Sequence, residues 1–159
     1  MQITVGVADM QVTNNPQAVL VTHSLGSCMG VAVYDPQVRV GGILHYMLPE
    51  ASLDGNKSTE KPLMFADTGI PLLFKECYRY GAVKSRMIVK IAGGSQIMDS
   101  GCFFNIGKRN YAALRKIFLR NNVLIKNEDI GGFSPRTLYL QISTGKVWVK
   151  ITGEGEKLL

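Results

Sequence analysis

The stretch Thr22-His23-Ser24-Leu25-Gly26-Ser27-Cys28-Met29 concentrates reactive side chains at one change of secondary structure. A β-branched run enters a polar, glycine-containing turn, and a cysteine stands where the turn meets the next apolar run. A turn of this kind holds a thiol with free backbone N–H groups beside it. Such amides lower a thiol pKa and stabilise a developing oxyanion. The competing expectation is structural, because free cysteine packs well as a small hydrophobe and Cys28 also fits as the buried opening residue of a strand. Cys77 falls on the apolar stripe of a helical pattern and reads as core. Cys102, between Gly101 and Phe103, has no base nearby in sequence. If any thiol is a nucleophile, it is Cys28.

A thiol nucleophile needs a general base, for which histidine is the usual partner. The chain has two histidines. His45 lies late in the apolar run that ends at Pro49, where a polar imidazole requires a hydrogen-bond partner whether its role is structural or catalytic. His23, five residues before Cys28, is the alternative, and spacing alone leaves both open. The three cysteines form no Cys-x-x-Cys pair, so neither a disulfide framework nor a structural zinc site is expected. Gly93-Gly94-Ser95-Gln96 lacks both phosphate-loop spacings and reads as a turn where backbone approaches backbone closely.

These residues must be positioned by a chain of 159 residues, 46% hydrophobic and 19% charged, which suits one domain with a single substantial core. The formal charge of +6 comes from scattered lysines and arginines, without the clustered stripe interleaved with aromatics that nucleic-acid binding favours. Apolar runs are too short to cross a bilayer, and the first residues lack a basic and apolar leader pattern. A cytoplasmic protein without membrane insertion, metal or cofactor is expected.

Strands are expected at 2–7 and 17–22 around Asn14-Asn15-Pro16, and at 29–34 and 38–47 around Asp35-Pro36-Gln37. Residues 50–62 read as an exposed loop. Ile70, Leu73, Phe74 and Cys77 recur at helical spacing before Gly81, and Pro71 fits this helix only within its first turn. A strand over 87–91 follows, and then a helix carrying Ile106, Ala113, Leu114, Ile117 and Phe118 that ends at Asn121-Asn122. Two alternating runs, Leu138 to Ile142 and Val147 to Ile151, flank Ser143-Thr144-Gly145 as a hairpin. Strands outnumber helices, and no linker or repeat divides residues 1–159: one mixed α/β domain.

Taken in order, several motifs resemble one family. They are Thr22 with Leu25-Gly26-Ser27-Cys28, Gly41-Gly42, His45, Met47-Leu48-Pro49, Lys61-Pro62 and Ala66-Asp67-Thr68. Lys90-Ile91-Ala92-Gly93-Gly94, Asn105-Ile106-Gly107 with Arg109-Asn110, and Glu128-Asp129-Ile130-Gly131-Gly132 complete the set. The chain resembles the chemoreceptor glutamine deamidases of bacterial and archaeal chemotaxis, the CheD family, from about residue 3 to residue 154. His23-Ser24 departs from the pattern toward polar residues. The resemblance implies a mixed β-sandwich flanked by helices, similar to deamidating bacterial toxins. It assigns the nucleophile to Cys28, the base to His45 and the histidine-orienting hydroxyl to Thr22. It further implies hydrolysis of selected glutamine side chains to glutamate on methyl-accepting chemotaxis receptors, through a thioester, by a protein-glutamine glutaminase. A CheC-type phosphatase is an implied partner, and the alternative is a non-catalytic adaptor that regulates such a phosphatase.

Overall fold

The computed structural model describes residues 1–51, 60–96 and 105–159. Cys102 and most of the loop expected at 50–62 lie outside these residues. The strands in chain order are β1 (Gln2–Thr4), β2 (Asp9–Thr13), β3 (Val19–Leu25), β4 (Met29–Asp35), β5 (Val40–Tyr46), β6 (Ile88–Gly93), β7 (Ile125–Ile130), β8 (Arg136–Gln141), β9 (Val147–Ile151) and β10 (Gly155–Leu158). Helix α1 spans Ala66–Arg79 and helix α2 spans Ile106–Arg120. One sheet has the order β1-β3-β8-β9-β10 and the other β2-β5-β4-β6-β7. β1 runs parallel to β3 and β6 parallel to β7, while the remaining pairs are antiparallel.

β4 and β5 are buried along their whole length, and the two-residue period of a strand divides their side chains between two cores. Met29, Val31, Val33, Val40, Leu44 and Tyr46 face the helices, where Ile70, Leu73, Phe74 and Cys77 of α1 meet Leu114 and Phe118 of α2. Ala32, Tyr34 and Ile43 face the other sheet and pack with Leu20, Leu25, Leu138, Leu140 and Val149. Each such burial stabilises the fold by roughly 1.5–3 kcal/mol for a large aliphatic or aromatic side chain. The expected sandwich flanked by helices is therefore present, with both helices on one flank.

Three strands escape the apolar pattern because they lie at or near sheet edges. β2 and β7 are the outer strands of their sheet, and β10 ends the other. β7 carries Lys126-Asn127-Glu128-Asp129 in succession, and β10 is exposed throughout. Pro71 corrects the expected helix start, since α1 begins at Ala66 and places the proline in its second turn. The missing N–H forfeits a bond to the Asp67 carbonyl. Ile70, Leu73 and Phe74 bury the opposite side of the same turns, and that packing holds the helix through the gap.

Candidate active site

β3 ends in a distortion that shapes everything after it. Thr22 pairs with Leu138 but Leu25 pairs with Arg136, so β3 spends one extra residue over that interval. Ser24 takes a left-handed backbone (φ 60°) and, with His23, is turned out to solvent. The bulge explains the polar pair at 23–24 and places His23 away from the interior. His45 lies opposite Gly30 in the β4–β5 ladder and points between the sheets. There Thr22 reaches it from β3, with Oγ1 2.7 Å from Nδ1.

The protons of this contact can be assigned. Thr22 Oγ1 is also 2.8 Å from the carbonyl oxygen of Val5, which only accepts. The single hydroxyl proton is committed there, so at 2.7 Å the imidazole must donate Nδ1–H to Oγ1. His45 is thereby held in the tautomer whose Nε2 carries a lone pair. Nε2 is buried without a hydrogen-bond partner among the described residues. Burial disfavours the imidazolium and lowers the His45 pKa to about 4, so the ring is neutral at pH 7.

Cys28 stands two residues before Gly30 and packs against the same inter-sheet cluster, half-buried. Burial raises its thiol pKa, and its own backbone N–H partly opposes that rise. The resting site therefore combines a neutral thiol with a neutral imidazole. Cys77 lies in the helix-facing core with its thiol pushed up to about 12 by burial and nearby carboxylates, and is inert there.

The turn that carries Cys28 is fixed through its carbonyls. Gly26 O accepts from Ser95 N (2.8 Å) and Cys28 O from Gly94 N (2.9 Å). Ser27 O accepts from the Asn110 side chain at 2.9 Å. Gly93 has φ +119°, and a Cβ there would run into the Cys28 carbonyl; at Gly107 of α2 it would run into the carbonyls of Gly94 and Ser95. Arg136 braces the same region from β8, donating to Asp129 (2.7 Å) and to Ser95 Oγ (2.7 Å). Asn110 and Arg136 carried no role in the sequence reading. Asn110 did leave a signal there, as a polar residue in register with the apolar stripe of α2.

Among the described residues no group of three histidine, cysteine or carboxylate side chains is placed to hold a metal ion, and no helix is long and apolar enough to cross a membrane. Between the two sheets of the sandwich lie a half-buried thiol, Cys28, and a buried imidazole, His45, whose ring is fixed by the Thr22 hydroxyl.

This chain belongs to the CheD family. The family model described as "CheD chemotactic sensory transduction" matches residues 47–151. A protein of Syntrophus aciditrophicus named "Probable chemoreceptor glutamine deamidase CheD 1" is 56% identical over 151 residues, covering 95% of this chain and 94% of the relative. One of Solibacter usitatus named "Probable chemoreceptor glutamine deamidase CheD" is 46% identical over 99% of this chain and 94% of its own length. A third, "Probable chemoreceptor glutamine deamidase CheD 2" of Anaeromyxobacter dehalogenans, is 45% identical over 93% of each chain.

Proposed function

We propose that this protein hydrolyses glutamine side chains of chemoreceptors to glutamate, with Cys28 as nucleophile, His45 as general base and acid, and Thr22 as the residue that orients the imidazole. Relatives covering nearly the whole chain carry that activity in their names. The observation that carries the mechanism is the Thr22–His45 hydrogen bond, which leaves Nε2 as an unpartnered lone pair on a ring whose ladder partner, Gly30, lies two residues after Cys28.

Nε2 takes the thiol proton as sulfur attacks the glutamine amide carbon, and backbone N–H groups around Ser27 and Cys28 hold the oxyanion. The imidazolium returns the proton to the leaving nitrogen, ammonia departs and a thioester remains. His45 then activates water, which attacks the thioester carbon and releases glutamate and the thiol. Because both groups rest neutral, the thiolate forms as the amide carbonyl is engaged rather than standing ready beforehand. Thr22 is uncharged, so it orients the ring without the electrostatic support a buried carboxylate gives an imidazolium.

An adaptor that only bound a CheC-type phosphatase would need neither the thiol nor a base-ready nitrogen, and the Thr22–His45 geometry favours the enzyme. The deciding experiment incubates the protein with a receptor signalling domain and measures ammonia together with the mass gain of about one dalton per modified glutamine. Cys28→Ala should abolish both while keeping the native melting curve. Undiminished ammonia release from a folded Cys28→Ala protein would overturn the mechanism.

A further inference from the structure

We propose that Asn110 is a positioning residue that sets the spacing between Cys28 and His45. The inference rests on the roles proposed above for those two groups. The β4–β5 ladder stops at Met29 opposite Tyr46. Beyond that pair, the carbonyls of Met47, one residue out, and of Ser27, two residues out, are both acceptors, and neither can supply a proton to the other. The Asn110 side chain reaches both from α2, donating from Nδ2 to Ser27 O at 2.9 Å and to Met47 O at 2.8 Å.

Since both partners are carbonyl oxygens, the NH2 group must face them, and the amide orientation is fixed by chemistry. Oδ1 then faces away, and it is buried without a partner among the described residues. A fully buried residue with an unpaired acceptor is unfavourable where an apolar side chain would fit, unless its donors do something an apolar side chain cannot. What they do is bridge the two strand ends beyond the last pair of the ladder. Ser27 adjoins the nucleophile and Met47 lies two residues beyond the base, so one planar amide ties together the two segments that carry the reacting groups.

The helix is seated for this purpose. Gly107, three residues earlier on α2, lets the helix backbone lie directly on Gly94 and Ser95. The Asn110 carbonyl also accepts the Tyr46 hydroxyl at 2.6 Å, which anchors the helix to the residue next to His45.

The test compares Asn110→Ala and Asn110→Asp by melting curve, by steady-state deamidation of a receptor fragment, and by alkylation of Cys28 with iodoacetamide followed by peptide mass. A displacement of the two segments by a fraction of an ångström should lower kcat by about 10–100-fold with KM within about twofold. The pH profile of Cys28 alkylation in both variants should move toward that of His45→Ala. In Asn110→Asp the ionised carboxylate repels both carbonyls, whereas the protonated acid restores one donor. Its activity relative to wild type should therefore rise as pH falls from 8 to about 5.5, a signature that a mere packing role does not produce.

Wild-type kcat and a wild-type alkylation profile in either folded variant would overturn the proposal. So would loss of the fold in both, since a residue needed only for spacing is not needed for folding. Deamidation that survives Cys28→Ala would refute the underlying mechanism instead, while the alkylation measurement would still judge the clamp on its own.

Discussion

Replacing Thr22 with valine changes shape by almost nothing and removes one oxygen. In the folded protein that oxygen accepts Nδ1–H of His45 and donates to the Val5 carbonyl. Thr22 and His45 are both at 0% exposure and Val5 at 1%, so water does not replace the lost partner. Two buried polar groups left unpaired cost about 1–3 kcal/mol each. A net loss near 3 kcal/mol corresponds to a melting temperature lower by roughly 6–12 °C for a chain of this size. The effect on turnover comes separately, because without the acceptor the ring is free to carry its proton on Nε2, where it cannot take the thiol's. Loss of one such orienting bond should reduce kcat by about 10–100-fold. Thr22→Ser keeps the oxygen and should recover most of the activity, with a stability cost of about 1 kcal/mol for the buried methyl. The assay is ammonia release from a receptor fragment, run beside a thermal melt of each variant. If Thr22→Val turns over like wild type, the hydroxyl does not orient the imidazole and the site reduces to Cys28 and His45.

His45→Ala should lose activity nearly as completely as Cys28→Ala, whereas His23→Ala, on the exposed bulge, should keep most of it; the reverse order would relocate the base. Activity should be flat across neutral pH and fall only as acidity approaches the His45 pKa of about 4, because the ring is a base only while unprotonated; a kcat profile breaking near 6.5 would mean the ring is solvated. The same shift acts on stability: the unfolded chain binds a proton near 6.5 and the folded one only near 4, so stability should decline on acidification between those values, by up to about 3 kcal/mol. His45→Gln should flatten that part of the curve in a melting series. Asp35 is fully buried, and although burial alone would raise its pKa, Arg86 and the amides of Val83 and Gln37 hold it below the usual carboxylate value. Its contribution is present above pH 4 and fades as pH falls through the lowered value, and Asp35→Asn should cost about 1–3 kcal/mol at pH 7, read from chemical unfolding.

The sequence was most readable where one strand or helix face carries the whole signal. β4 and β5 announce themselves as apolar runs about a turn, and the spacing from Ile70 to Cys77 marks α1. The edge strands gave no such pattern, because β7 and β10 meet little of the core and their polar residues are compatible with loop. Pro71 misled for a related reason: local backbone chemistry argued for the first turn, and tertiary packing overrode it. At the site, residue types alone left His45 and its alternative His23 both open, and Cys28 as nucleophile or core. The resemblance chose among them, and the structure pairs Thr22 with His45 and sends His23 to solvent. Register decides such matters, and register is a relation between strands that no single segment encodes. Asn110 stands in register with the apolar stripe of α2, a signal not taken up, and its partners, Ser27 and Met47, lie 83 and 63 residues away along the chain.

The main chain of Cys28 is packed against main chain, with Gly93 against its carbonyl and Gly107 of α2 against Gly94 and Ser95. Backbone looks the same whatever residues it carries. The position of the Cys28 main chain is therefore insulated from substitutions in neighbouring side chains, which can drift without moving it. The exposure to mutation is concentrated instead in a few places where nothing is allowed to protrude. A single methyl at Gly93 or Gly107 should do more to misplace the thiol than several changes among the larger residues around it.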